Sequence, residues 1–112
     1  MKTNPPTLLP HPIAQYIAHA NRFDTAGAIE FFTSDAIVRD EHKEHVGHAA
    51  IARWIAESSA SAQPQVTPTQ VHTHGETVKM TGRVVGTFPG SPIDLDYEFR
   101  LRDGKIAVLT IQ

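Results

Sequence analysis

Apolar residues change their spacing at Pro64, and that change restricts the fold more than any other feature of the chain. Before it, they recur at helical intervals. Ile13, Tyr16, Ile17 and Ala20 fall at i, i+3, i+4 and i+7, which puts them on one face of a helix. Ala28, Ile29 and Phe32 make a second such stripe, and Ile51, Trp54, Ile55 and Ser58 a third. After Pro64 the period falls to two. Ile93, Leu95, Tyr97, Phe99 and Leu101 alternate with charged residues, as in a strand covered on one face. Helices first and strands afterwards predict an α+β layout, with the helices on one face of a curved antiparallel sheet.

The punctuation residues set the limits of each element. Pro12 suits a first helical turn, and Asp24 suits the N-cap of a second helix. The link Asn21 to Phe23 is short enough to make these two helices an antiparallel pair. The expected helices cover 12–21, 25–33 and 48–59, with residues 1–11 a poorly ordered lead. The third helix is expected to fade into SSASAQPQ, residues 58–65, which reads as a linker. Then VTPTQVHTH and TVKMTGRVVGTF are two strands joined at Gly75-Glu76. FPGSP, residues 88–92, is a turn, and Asp103-Gly104 is a hairpin signal before the last strand. In that strand Ile106 and Val108 alternate one way, Leu109 and Ile111 the other. Apolar residues on both faces predict a homodimer through the outer face of the sheet.

Composition removes several function classes. The chain of 112 residues suits one domain, 1–112. Net charge is −2 and Lys and Arg are scattered, so no nucleic-acid footprint is present. With no cysteine, disulfides, thiol nucleophiles and cysteine-ligated zinc are excluded. No apolar run approaches the ~20 residues of a membrane span, and MKTNPPTLLPHP lacks the apolar stretch of a signal peptide. A cytoplasmic protein without membrane contact is the expectation.

Polar chemistry concentrates in AIVRDEHKEHVGHAAIARW, residues 36–54. It holds Asp40, Glu41, Glu44, His42, His45 and His48 and ends on Trp54, the only tryptophan. The three histidines straddle a strand end, a turn and a helix start, so no single periodicity brings them together. His72 and His74 do share a strand face, but two ligands fall short of a three- or four-ligand site. No metal is expected. By their faces alone, Asp40 reads equally as a strand-end carboxylate bonded to nearby backbone, and Tyr16 as a core tyrosine.

The run QYIAHANRFDTAGAIEFFTSDAIVRDEHKEHVGHAAIARW resembles the opening of the nuclear transport factor 2-like superfamily. It is similar in particular to the ketosteroid isomerase and SnoaL-like polyketide cyclase branch. The matching features are the aromatic in helix one, the acidic residue after an alternating A-I-V-R strand, and a Gly, an Ile and an aromatic in helix three. The tail GTFPGSPIDLDYEFRLRDGKIAVLTI resembles the ending of small bacterial members, so the likeness spans residues 12 to 111.

The resemblance implies a cone whose sheet and helices enclose one largely apolar pocket, used without a cofactor. It puts Tyr16 where ketosteroid isomerases carry an enolate-stabilising phenol, and Asp40 where they carry the proton-moving carboxylate. Physical reasoning agrees with those roles. Apolar walls disfavour a carboxylate and raise its pKa towards that of a useful base, and a buried phenol donates without bringing a competing charge. Asp40 shares a strand face with Ala36 and Val38, so it can point inward. The isomerases add a protonated acid on a later strand; here Tyr97 takes the inward position while Asp96 faces away, so the second donor is either a tyrosine or missing. The expected pocket is walled by Phe32, Trp54, Met80, Val84, Tyr97 and Phe99. His42 sits at its mouth, where it can hold or relay a proton. The implied function is binding of a small apolar carbonyl metabolite, with isomerisation or cyclisation by proton transfer through Asp40. The alternative is a non-catalytic ligand-binding or dimerisation module of the same fold. Gly82 and Gly86 interrupt their strand and read as the bend that shapes the cone.

Overall fold

The computed structural model describes residues 9–112. In chain order they form α1 (His11–Asn21), α2 (Thr25–Ile29), β1 (Phe32–Asp40), β2 (Lys43–Val46), α3 (Gly47–Ala62), β3 (Gln65–His74), β4 (Thr77–Val85), β5 (Ile93–Arg102) and β6 (Lys105–Ile111). The strands make one sheet in the order β2-β1-β6-β5-β4-β3. The result is the expected α+β cone, with three helices packed against a curved sheet. β3 to β6 form the antiparallel meander, and its hairpins turn at Gly75-Glu76 and Asp103-Gly104. The whole sheet is mixed, because β1 pairs with β6 in parallel.

Asp24 caps α2 as expected, its Oδ1 accepting from the Gly27 backbone N–H at 3.0 Å. Ile13 and Ile17 of α1, Ala28 of α2 and Ile51 and Ile55 of α3 are buried against Val78, Phe99, Ile106 and Leu109 of the sheet. Asn21 ties the end of α1 to the start of β3. Its amide donates to the Val66 carbonyl and accepts from the Val66 N–H, both at 2.9 Å, so it acts as a one-residue extension of the sheet. Among the described residues no helix is long and apolar enough to cross a membrane.

Four boundaries differ from the sequence reading, each for a local reason. α2 stops at Ile29, so Phe32 opens β1 and does not belong to the helical stripe. The Phe31 carbonyl accepts from the Ile106 N–H at 2.8 Å, and pairing with the last strand overrides the helical spacing. α3 continues through the presumed linker to Ala62. Ser59 and Ser61 bond back to the carbonyls of Ile55 and Glu57, each at 2.9 Å, and Gln63 ends the helix in the left-handed conformation. β2 was not anticipated. It returns on β1 through Glu41-His42, both at positive φ (54° and 65°), the geometry of a two-residue hairpin turn without its usual glycine. At the N-terminus His11 already begins α1, and the rest of the expected disordered lead, residues 1–8, lies outside the described residues.

The last strand also departs from simple alternation. Leu101 pairs with Ile106 and Arg100 with Val108, so Ala107 is the extra residue of a bulge. The bulge turns Ile106 inward beside Leu109, both fully buried. Val108 points outward, and Ile106 contributes nothing to the outer face.

Candidate active site

The site lies at the end of the cone where β1 finishes. Alternation along β1 sends Ala36 and Val38, both fully buried, to the inner face and carries Asp40 to the same side. Antiparallel pairing brings Tyr97 of β5 opposite Ile111 of β6, and parallel pairing sets Arg39 beside Thr110. These elements surround a cavity of about 1210 Å³. Tyr16 and Asn21 of α1 line it with Trp54 and Ile55 of α3, Val84 of β4, and Leu95 and Tyr97 of β5.

Burial sets the protonation states. Desolvation raises the Asp40 pKa first of all, and the neighbouring Glu41 charge adds to it. The Trp54 indole bond, the His45 charge and the Glu41 backbone N–H work in the opposite direction. Burial also pushes Tyr16 far above the usual phenol range, with Tyr97 and Asp40 raising it further. Tyr97 is raised by burial and then by Asp40. All three groups line the same cavity. Both phenols therefore stay protonated as donors, beside a carboxyl group poised to accept a proton.

The phenols are held from behind by an aromatic layer. Tyr16 meets Phe32 edge-on at 5.2 Å and Phe99 at 6.3 Å, while Tyr97 stacks on Phe99 at 6.1 Å. Gly82 makes room for Tyr97: a Cβ there would lie 2.9 Å from the ring and 3.0 Å from Val66. Among the described residues neither phenol hydroxyl takes a protein partner, and no fully enclosed side-chain polar atom lacks one. Both hydroxyls therefore open into the cavity.

Of the residues expected here, Asp40, Tyr16, Trp54, Val84, Tyr97 and His42 line the cavity. Phe32, Met80 and Phe99 do not. They are at most 2% exposed and form the packed layer behind the wall. Phe32 opens β1 at the end opposite Asp40, so it supports Tyr16 without reaching the lumen. The lining is also more polar than expected at the mouth, where Arg39, Lys43 and Glu44 join Ser58, Ser59 and Ser61. Ser58 was on the expected helical stripe, but Ser59 and Ser61 went unrecognised because SSASAQPQ read as a linker. Only a continued helical count past Ser58 would have found them.

The three nearby histidines go three ways. His42 is exposed at the hairpin tip, and His45 stacks on Trp54 at 5.9 Å. His48 Nε2 bonds the Phe32 carbonyl at 2.9 Å. Among the described residues no three metal-ligating side chains converge.

A curved sheet wrapped on three helices around one lined cavity is the nuclear transport factor 2-like, cystatin-like architecture. The profile of the SnoaL-like domain family matches residues 13–109, and the chain belongs to that family. A candidate polyketide cyclase from Sinorhizobium meliloti is similar at 36% identity and a TM-score of 0.92, covering 96% of this chain and 98% of its own. Two more distant structures share the fold. A ketosteroid isomerase-like protein from Catenulispora acidiphila, solved with trimethylamine, has a TM-score of 0.82 at 19% identity over 92% of this chain and 85% of its own. The epoxide hydrolase/cyclase-like enzyme SalBIII of salinomycin pyran-ring formation has a TM-score of 0.78 at 22% identity over 89% and 85%. No curated protein matches the chain by sequence.

Proposed function

We propose that the chain binds a small carbonyl metabolite in the cone and catalyses its isomerisation or cyclisation by proton transfer through Asp40. The substrate carbonyl sits between the Tyr16 and Tyr97 hydroxyls, which donate to its oxygen. Asp40 removes a proton from the adjacent carbon, and the electron pair moves into the enolate, whose negative charge the two phenols stabilise. In an isomerisation Asp40 returns the proton to a conjugated carbon. In a cyclisation the enolate carbon attacks a second carbonyl of the same molecule, whose π bond opens to an alkoxide that takes the proton from Asp40. The carrying observation is one carboxylate and two phenol hydroxyls, partnerless among the described residues, lining the same cavity, with burial raising the pKa of all three. The candidate polyketide cyclase at 36% identity supports the carbonyl class of substrate.

The test is exchange of α-protons into D2O, followed by NMR over a panel of cyclic unsaturated ketones and β-diketones. Exchange that depends on Asp40 is the expected result. Ligands that bind without exchange would instead favour the non-catalytic module. We also propose that two copies pair through the outer face of the sheet, where Val108 lies. Sedimentation at twice 12.3 kDa supports this pairing and a 12.3 kDa particle at micromolar concentration opposes it.

A further inference from the structure

Trp54 occupies a position that the proposed proton transfer does not by itself require. Its indole Nε1 donates to Asp40 Oδ2 at 3.1 Å, across a partly buried contact between α3 and the end of β1. The ring has little freedom. Ile51 and Ile55 on either side of it in the helix are 0% and 4% exposed and anchor α3 on the sheet. His45 of β2, paired with Val38 of β1, stacks over the indole with an interplanar angle of 30°. A rigid donor thus meets one carboxylate oxygen, and no other side chain bonds to Asp40 among the described residues.

We infer that Trp54 is the positioning residue of Asp40: it pins Oδ2 and presents Oδ1 to the cavity as the oxygen that takes the substrate proton. An indole N–H only donates, so it cannot take part in proton transfer itself. It can fix the rotation of the carboxyl group, and such orientation is worth large factors when a proton must travel along one line. The bond is also stronger to the charged carboxylate than to the neutral acid, so it opposes the burial that would keep Asp40 protonated. Tyr16 from α1 and Tyr97 from β5 line the cavity with Asp40, and Glu41 and His45 from the β1–β2 hairpin act on its charge. Arg39, Lys43 and Glu44 line the same cavity. Of all these, Trp54 alone holds it by a side-chain hydrogen bond.

The catalytic consequence rests on Asp40 being the base, but the positioning itself is testable without a substrate. Trp54 is the only tryptophan, so its indole 1H–15N resonance is assigned by inspection. Titrated with pH, that resonance is expected to show a transition in the wild type that vanishes in Asp40→Asn. Identical titrations in the two proteins would overturn the inference. Trp54→Phe keeps the ring and removes the donor. In a variant whose circular dichroism is native, the Asp40 carboxyl 13C midpoint should move upward. For any ketone that the wild type turns over, kcat should fall roughly 10–100-fold with KM little changed, and the acid limb of the profile should move with the 13C midpoint. An unmoved midpoint and pH profile in folded Trp54→Phe would also sink the inference. If Asp40→Asn keeps full turnover while the indole still reports its carboxyl, the proton-transfer reading fails and the positioning stands.

Discussion

The two ends of the cone are built from the same strands and do opposite work. At the closed end Phe32, Val78, Phe99 and Ile106 are fully buried and pack without polar groups. At the open end Asp40, Tyr16, Tyr97 and Trp54 turn polar atoms towards a cavity. Asp40 lies eight positions after Phe32 along β1, and Phe99 two positions after Tyr97 along β5. Stability therefore concentrates at one end and the proposed chemistry at the other, with the phenol rings as the joint between them. Substitutions at the two ends should separate into losses of activity and losses of folding.

The largest separation is expected for Asp40→Asn. The amide keeps the shape but accepts no proton, so turnover should fall ~10³-fold, about 4 kcal/mol of barrier. Stability should move the other way. Asp40 has its pKa raised on folding, so its charged form weighs against the native state above that pKa, and the penalty disappears as pH falls through it. Urea midpoints should show Asp40→Asn more stable than wild type at pH 7, with the gap closing in acid. A less stable variant at pH 7 would break the division between the ends.

Phe99→Ala probes the opposite end and should cost about 3–5 kcal/mol of folding free energy, read from denaturant curves. Any folded fraction should still bind ligand. Tyr16→Phe keeps the ring against Phe32 and removes only the hydroxyl. Turnover should drop ~10²-fold, with thermal stability nearly unchanged, since Tyr97 still donates. The smallest effect is expected at the joint. In Gly82→Ala the new methyl meets the Tyr97 ring and Val66, at a cost of roughly 1–3 kcal/mol. A crystal structure of that variant should show the Tyr97 ring displaced.

Each end was legible in the sequence only in part. Period-two alternation in β5 put Tyr97 and Phe99 on the covered face, and Asp24 announced the start of α2 in advance. Phe32 could not be placed, because one residue satisfies both the helical stripe of α2 and the first position of β1. Ile106 was misassigned because a bulge at Ala107 leaves no compositional mark. The Glu41-His42 turn lacked the glycine that would have signalled a hairpin. Asp40 and Tyr16 were singled out through spacing and family likeness, whereas the indole bond from Trp54 joins residues 14 positions apart on different elements. That contact exists only once α3 is docked on β1. Tertiary contacts of this kind carry no local signal.

The account turns on whether Asp40, Tyr16 and Tyr97 form one site for a developing oxyanion. Binding of 2-naphthol, whose naphtholate form imitates an enolate, measures this directly by fluorescence and calorimetry. The two phenols should hold the naphtholate while the Asp40 carboxylate repels it. Asp40→Asn should therefore bind it ~10–100-fold more tightly than wild type, and Tyr16→Phe and Tyr97→Phe should each weaken it. Equal affinity in wild type and Asp40→Asn, with no loss in either phenylalanine variant, would contradict the account.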